Sequence, residues 1–135
     1  MPLEFAILAD HAEIVNGKLY LMGGGWDTYS AAGAPLHLSL AVALGVRVGW
    51  EETNRPVPVT IRIEDDDGKE LIRADGTLNV GRPPHLPPGS AQLAQMAATL
   101  PVTFAAFGGY RVRIVAGAGG EIDEVSIPFR VVQRP

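Results

Sequence analysis

A chain of 135 residues fits a single domain, 1–135, able to bury roughly two thirds of its unfolded surface without covalent staples. Cysteine is absent, which excludes disulfides and thiolate metal sites. The net charge is −4 and the 11 cations are scattered with no basic run, an argument against nucleic acid, whose phosphates call for a cationic stripe.

Along the chain, MPLEFAILAD has neither a cationic start nor a long apolar stretch, so Leu3 to Ala9 reads as a strand rather than a signal peptide. No run approaches the ~20 apolar residues of a membrane span, and a soluble, cytoplasmic protein is expected. Glu13–Val15 and Lys18–Met22 flank Asn16-Gly17. That pair favours a type I′ turn, because both central positions need positive φ, and a hairpin is expected there. From Pro35 to Val48, seven residues (Leu36, Leu38, Leu40, Val42, Leu44, Val46 and Val48) alternate along one face of a long strand. Val57, Val59, Ile61 and Ile63 repeat the pattern with Thr60, Arg62 and Glu64 opposite, and Asp65-Asp66-Asp67-Gly68 turns the chain. Ile72, Ala74, Gly76, Leu78 and Val80 line the next strand.

Gly81–Ser90 holds four prolines and reads as an extended crossover outside any sheet. The segment 91–100 is ambiguous. Leu93, Met96, Ala97 and Leu100 suit a helix with Ser90 as N-cap, whereas Thr99, Val102 and Phe104 favour a strand, which is preferred. Tyr110, Val112 and Ile114 mark a late strand, Gly117–Glu121 a loose turn, and Val125, Ile127, Phe129 and Val131 the last strand. Seven to nine short strands with no secure helix predict an all-β fold, an antiparallel β-sandwich of immunoglobulin-like or C2-like kind. Gly109-Tyr110 has the look of a tyrosine corner, in which the phenol bonds back to an upstream backbone group.

Two stretches are candidate binding surfaces. Gly23-Gly24-Gly25-Trp26-Asp27 offers glycine amides, a stacking ring and a carboxylate, as a small-molecule or carbohydrate site would. No lysine or helix follows, so it is not a phosphate loop. The preferred reading is structural: the glycines let the chain bend, and Trp26 plugs the end of the sandwich with its indole N–H bonded nearby. The second stretch is the other face of the long strand: His37, Ser39, Ala41, Ala43, Gly45 and Arg47. Water-facing strands carry charges and threonines, but this face carries small residues. A homo-oligomer or protein-partner interface is one explanation, and cover by the proline-rich crossover is the other.

Other features argue for less. Asp65 and Asp67 could share a cation with Asp123 or Glu124 only if their two turns meet at one end of the sandwich, and the full calcium-loop spacing is missing. His11, His37 and His85 show no metal-ligand spacing. Asp10-His11-Glu13 has no evident nucleophile, so a hydrolase built on His11 or His85 is disfavoured. Trp50, in Trp50–Pro56, is read as a rim residue capping the core, with a recognition tip as the alternative.

ADHAEIVNGKLYLMGGGWDTY, WEETNRP, VGRPPHLPPGS and the closing GGYRVRI and FRVV together resemble a bacterial family of unknown function made of short, stand-alone β-sandwich proteins. The resemblance covers nearly the whole chain. It implies a sandwich with no assigned catalysis and no cofactor, and it carries over no functional residues. The function expected is therefore non-catalytic binding, to itself or to a protein partner, with no catalytic residues, metal, cofactor or membrane. Small-molecule binding at Gly23–Asp27 is the alternative.

Overall fold

The computed structural model describes residues 2–120 and 122–135. Its strands are β1 (Leu3–Val15), β2 (Lys18–Gly24), β3 (Thr28–Ala31), β4 (Leu36–Val48), β5 (Pro56–Asp65), β6 (Glu70–Asn79), β7 (Gln92–Phe104), β8 (Gly108–Ala116) and β9 (Asp123–Gln133). A single 3-10 turn, Trp50–Glu52, is the only helical element among the described residues. One sheet has the order β2-β1-β4-β7, the other β3-β9-β8-β5-β6. From Gln92 onwards the ambiguous segment 91–100 lies in a strand, and Gly81–Ser90 forms none. Of the loose turn expected at Gly117–Glu121, Glu121 lies outside the described residues.

The all-β sandwich is as expected, with one correction to its strand pairing. Thr28–Ala31 pairs in parallel with Arg130–Gln133, so the five-stranded sheet is mixed rather than purely antiparallel. Four residues are too few to display an alternation, so the sequence alone marks no strand there.

Between the sheets, Leu40, Val42, Leu44 and Val46 of β4 meet Val59, Ile61 and Ile63 of β5 and Val112 and Ile114 of β8. One end is closed by Phe104, Tyr110 and Phe129, whose ring centroids lie 4.7–5.9 Å apart. The Tyr110 hydroxyl donates to the Ala106 carbonyl, so the corner hydrogen bond anticipated from Gly109-Tyr110 is present. Burial pushes the Tyr110 phenol above its ordinary pKa, opposed by that hydrogen bond and helped by Asp65 and Asp66.

The N-terminal region departs furthest from expectation. The two short strands anticipated at Leu3–Ala9 and Glu13–Val15 are one, β1, with a sharp bend in the middle. Beside β4, Ala9 stands opposite Ala41. Continued straight, β1 would carry Gly17 to the level of Gly33. Instead the Gln95 side chain on β7, level with Gly45, donates to the Gly17 carbonyl at 2.8 Å. The β1–β2 hairpin has therefore doubled back across the outer face of its own sheet, which also brings β1 against β7 although β4 separates them in the sheet. Asn16 (φ 51°) and Gly17 (φ 74°) supply the positive dihedrals of the expected hairpin turn.

Candidate binding surfaces

The bend accounts for two of the three glycines, Gly23 and Gly25. Gly23 has φ +63°, and a Cβ on it would come within 2.3 Å of the Asp10 carboxylate across the ladder. Gly25 has φ +81°, and its N–H donates to the Leu8 carbonyl at 3.0 Å. Both conformations suit glycine, and the close approach at Gly23 leaves no space for a side chain. Trp26 follows, half-buried against the core. Its ring lies 5.7 Å from Tyr29 and edge-on, at 6.1 Å, to Phe129. The expected hydrogen bond from the indole is missing: Trp26 Nε1 is buried without a partner. Asp27 is exposed, accepts from the Thr28 hydroxyl and lies 3.8 Å from Arg130. The loop thus holds Trp26 against neighbouring rings, while its outermost groups, Gly25 and Asp27, face water.

On the outer face of β4 the candidate interface divides. Ala41 and Ala43 are buried, at 1% and 0% exposure, in a cluster with Ala9 and Ala12. Leu19, Leu21 and Ala97 pack against that cluster. The chain's own hairpin covers them, so Ala41 and Ala43 are not surface residues. The cover is not the proline-rich crossover considered above, which lies elsewhere: Gly81 accepts from Gln92, and Arg82 bonds Thr53 and the Trp50 carbonyl. At Gly45 the ring of Phe5 lies where a Cβ would be. Arg47 is partly exposed and binds the Glu4 carboxylate through two nitrogens at 2.7–3.0 Å. His37 and Ser39 remain exposed beyond the hairpin's reach, with His37 Nδ1 2.8 Å from the Thr103 hydroxyl.

With the inner face of the hairpin spent on the alanines, its outer face meets water. His11 pairs with Met22, Glu13 with Tyr20 and Val15 with Lys18. Tyr20 and Met22 are 52% and 69% exposed, and Val15 is exposed too. Three of the five exposed large apolar side chains among the described residues are gathered here, and β2 has a free edge. The sequence hides this surface, because which side of a hairpin faces water depends on where the hairpin lies.

A second surface is charged. Outward positions of the five-stranded sheet carry Arg62, Arg73, Arg111, Arg113 and Arg130. Glu64 is buried among three of them: Arg111 Nε bonds it at 2.7 Å, with Arg113 and Arg62 at 3.7 and 3.9 Å. The Arg111 hydrogen bond holds the Glu64 carboxyl below the usual range despite the opposing effect of burial, and the charges of Arg111, Arg113 and Arg62 add to it.

The remaining candidates stay apart. The Asp65 carboxylate accepts from the Asp67 and Lys69 amides and closes its own turn. Asp65 is level with Tyr110 and Asp123 with Ala116, six residues or ~20 Å along β8, so the two acidic turns occupy opposite ends. Among the described residues no group of three His, Asp or Glu is placed to hold a metal ion. At the sandwich rim Arg82 lies 4.0 Å over the Trp50 ring, beside an open cleft of about 780 Å³ that includes Glu51, Arg55 and Asp123.

These observations define a two-sheet, all-β domain whose N-terminal hairpin folds over one sheet and whose other sheet is rich in arginine. Residues 4–132 match the family of unknown function DUF6941, and the chain belongs to that family. The comparison with curated proteins returns no match. Among solved structures, one described as the C-terminal domain of wzt is similar at 16% identity and a TM-score of 0.41. The similarity covers 78% of this chain and 65% of that one. Among the described residues, no helix is long and apolar enough to cross a membrane.

Proposed function

We propose that this protein acts by binding rather than by turnover, and that its first partner is a second copy of itself, met through the outer face and free edge of the β1–β2 hairpin. The observation that carries this reading is the concentration of Val15, Tyr20 and Met22 on that face, next to an unpaired strand edge. Exposed edges template pairing with another chain. Glu13 and Lys18 give the patch both signs of charge, as a self-complementary two-fold contact needs. Its size sets the strength. A hairpin face of seven residues by two strands covers ~230 Å², well below the ~800 Å² per partner of a standard interface, so association through it alone is weak and concentration-dependent.

The chemistry of the titratable side chains favours binding over turnover. His11, His37 and His85 stand on three separate elements, β1, β4 and the crossover. Glu64, the buried carboxylate, is stabilised as an anion by arginines, which suits neither a general acid nor a base at neutral pH. The rival reading, a small-molecule or carbohydrate site at Gly23–Asp27, has one observation in its favour, the unpartnered Trp26 Nε1.

Sedimentation velocity from micromolar to millimolar protein tests the proposal. A monomer–dimer shift is expected, abolished in Tyr20→Glu and Met22→Lys while the circular dichroism spectrum is retained. A wild-type monomer throughout, or association indifferent to both substitutions, would refute it.

A further inference from the structure

The structure assigns a second binding surface: we propose that the outward face of the five-stranded sheet binds a phosphoryl oxyanion, with Arg62 as the central ligand and Arg73 and Arg113 on either side. The ladder sets these three side by side, since Arg62 pairs with Arg73 on β6 and with Arg113 on β8. Like charges directly opposite each other repel, and here two such pairs share one residue. Neighbouring strands are ~4.8 Å apart, so the row is ~10 Å wide.

The acids around the row leave its centre unserved. Arg73 bonds Asp75 at 3.0 Å, Arg113 bonds Glu124, and Arg111 bonds Glu64 at 2.7 Å. Glu70, across the ladder from Glu64, stands near Arg73. Arg62 makes no hydrogen bond among the described residues. Its nearest carboxylate oxygen, on Glu64, is 3.9 Å away, beyond hydrogen-bond reach, and its Nε is buried without a partner. The side chain is nevertheless 25% exposed, through atoms other than the buried Nε, so an incoming group can reach it from solvent. An oxyanion there would receive charge-assisted hydrogen bonds from a planar fork and relieve the repulsion along the row. A row of this width suits two linked phosphoryl groups better than one. Diphosphate is therefore expected to bind more tightly than phosphate.

Isothermal titration with inorganic diphosphate and with phosphate at low ionic strength tests this, alongside co-sedimentation with vesicles containing phosphatidylglycerol. Saturable diphosphate binding is expected, with Arg62→Gln weakening it by about tenfold or more, because a hydrogen bond to a charged group is lost. Arg62→Lys, which keeps the charge without the fork, should fall between, and Arg130→Gln, outside the row, should bind as wild type does. Arg62-dependent vesicle binding would place the phosphoryl group on a lipid headgroup, and binding of soluble diphosphate alone would place it on a free ligand. Absence of saturable binding in both arms overturns the proposal. So does equal weakening by Arg62→Gln and Arg130→Gln, since that would reflect diffuse charge only. Arg62→Lys guards against a folding defect in Arg62→Gln, because it preserves the charge balance around Glu64.

Discussion

Replacing Ala43 with valine separates a covered sheet face from an open one, because the two cases predict opposite signs. On a face open to water, valine is the better strand former, and the exchange gains up to ~1 kcal/mol. Ala43 has 0% exposure, however, and sits under the hairpin in a cluster with Ala9, Ala12 and Ala41. Two added methyl groups must push against that cover, and overpacking of this kind costs ~1–3 kcal/mol. At a urea dependence of ~2 kcal/mol per molar, a mid-range loss of ~2 kcal/mol lowers the unfolding midpoint by ~1 M with an unchanged slope. Amide exchange adds a local reading. If the strain is relieved by lifting the hairpin, the amides of Ala12 and Leu21 should lose protection while those of Ile61 and Val112 keep theirs. A midpoint that rises, or stays put with hairpin protection intact, would refute the doubled-back arrangement.

Three further outcomes follow from the same geometry. Glu64→Gln should destabilise by ~2–3 kcal/mol, less than the ~3–5 typical of breaking a fully buried pair because the arginines are partly exposed. The folded Glu64 carboxyl is depressed, so its contribution is complete above the unfolded value of ~4.3 and disappears as pH falls through the lower folded value. Urea midpoints measured from pH 5 downwards should fall less steeply in Glu64→Gln than in wild type. Tyr110→Phe removes the bond to Ala106 and should cost ~1 kcal/mol in the same assay at neutral pH. Because burial raises the folded phenol, its contribution is lost as pH climbs above ~10, and the phenylalanine variant should show a shallower alkaline decline. Gly23→Ala should cost at least the ~1–2 kcal/mol of a left-handed alanine plus the clash with Asp10, and adding Asp10→Ala should recover only the clash, a coupling that a double-mutant cycle reads directly.

The strands were legible wherever side chains alternate over several residues. Leu36 to Val48, Val57 to Ile63 and Tyr110 to Ile114 all fall in strands, and even the ambiguous 91–100 gave way to its β-branched and aromatic C-terminal end. Asn16-Gly17 declared its turn because few dipeptides accept two positive φ angles. The path of the hairpin was not legible. A bend is a local property of Gly23 and Gly25, but its direction is decided by what lies across the sheet. The arginine row was hidden for a similar reason, since Arg62, Arg73 and Arg113 are scattered along the chain and only the register of β5, β6 and β8 aligns them.

The size pattern of β4 ties these observations together. From Leu40 to Val46 every residue is buried, as in a strand enclosed on both sides. Polarity therefore no longer distinguishes its two faces, but volume does. Leu40, Val42, Leu44 and Val46 fill the ~10 Å gap to the opposing sheet, whereas Ala41, Ala43 and Gly45 admit a hairpin and a phenyl ring at close range. The glycines at the bend and the alanines on the strand are thus two halves of one requirement. Gly23 and Gly25 ease the turn back of the hairpin, and Ala41 and Ala43 leave it the space in which to lie. The same move that packs Leu19 and Leu21 onto the alanines turns Tyr20 and Met22 outward, so the exposed apolar surface of the hairpin is a direct consequence of how the chain covers itself.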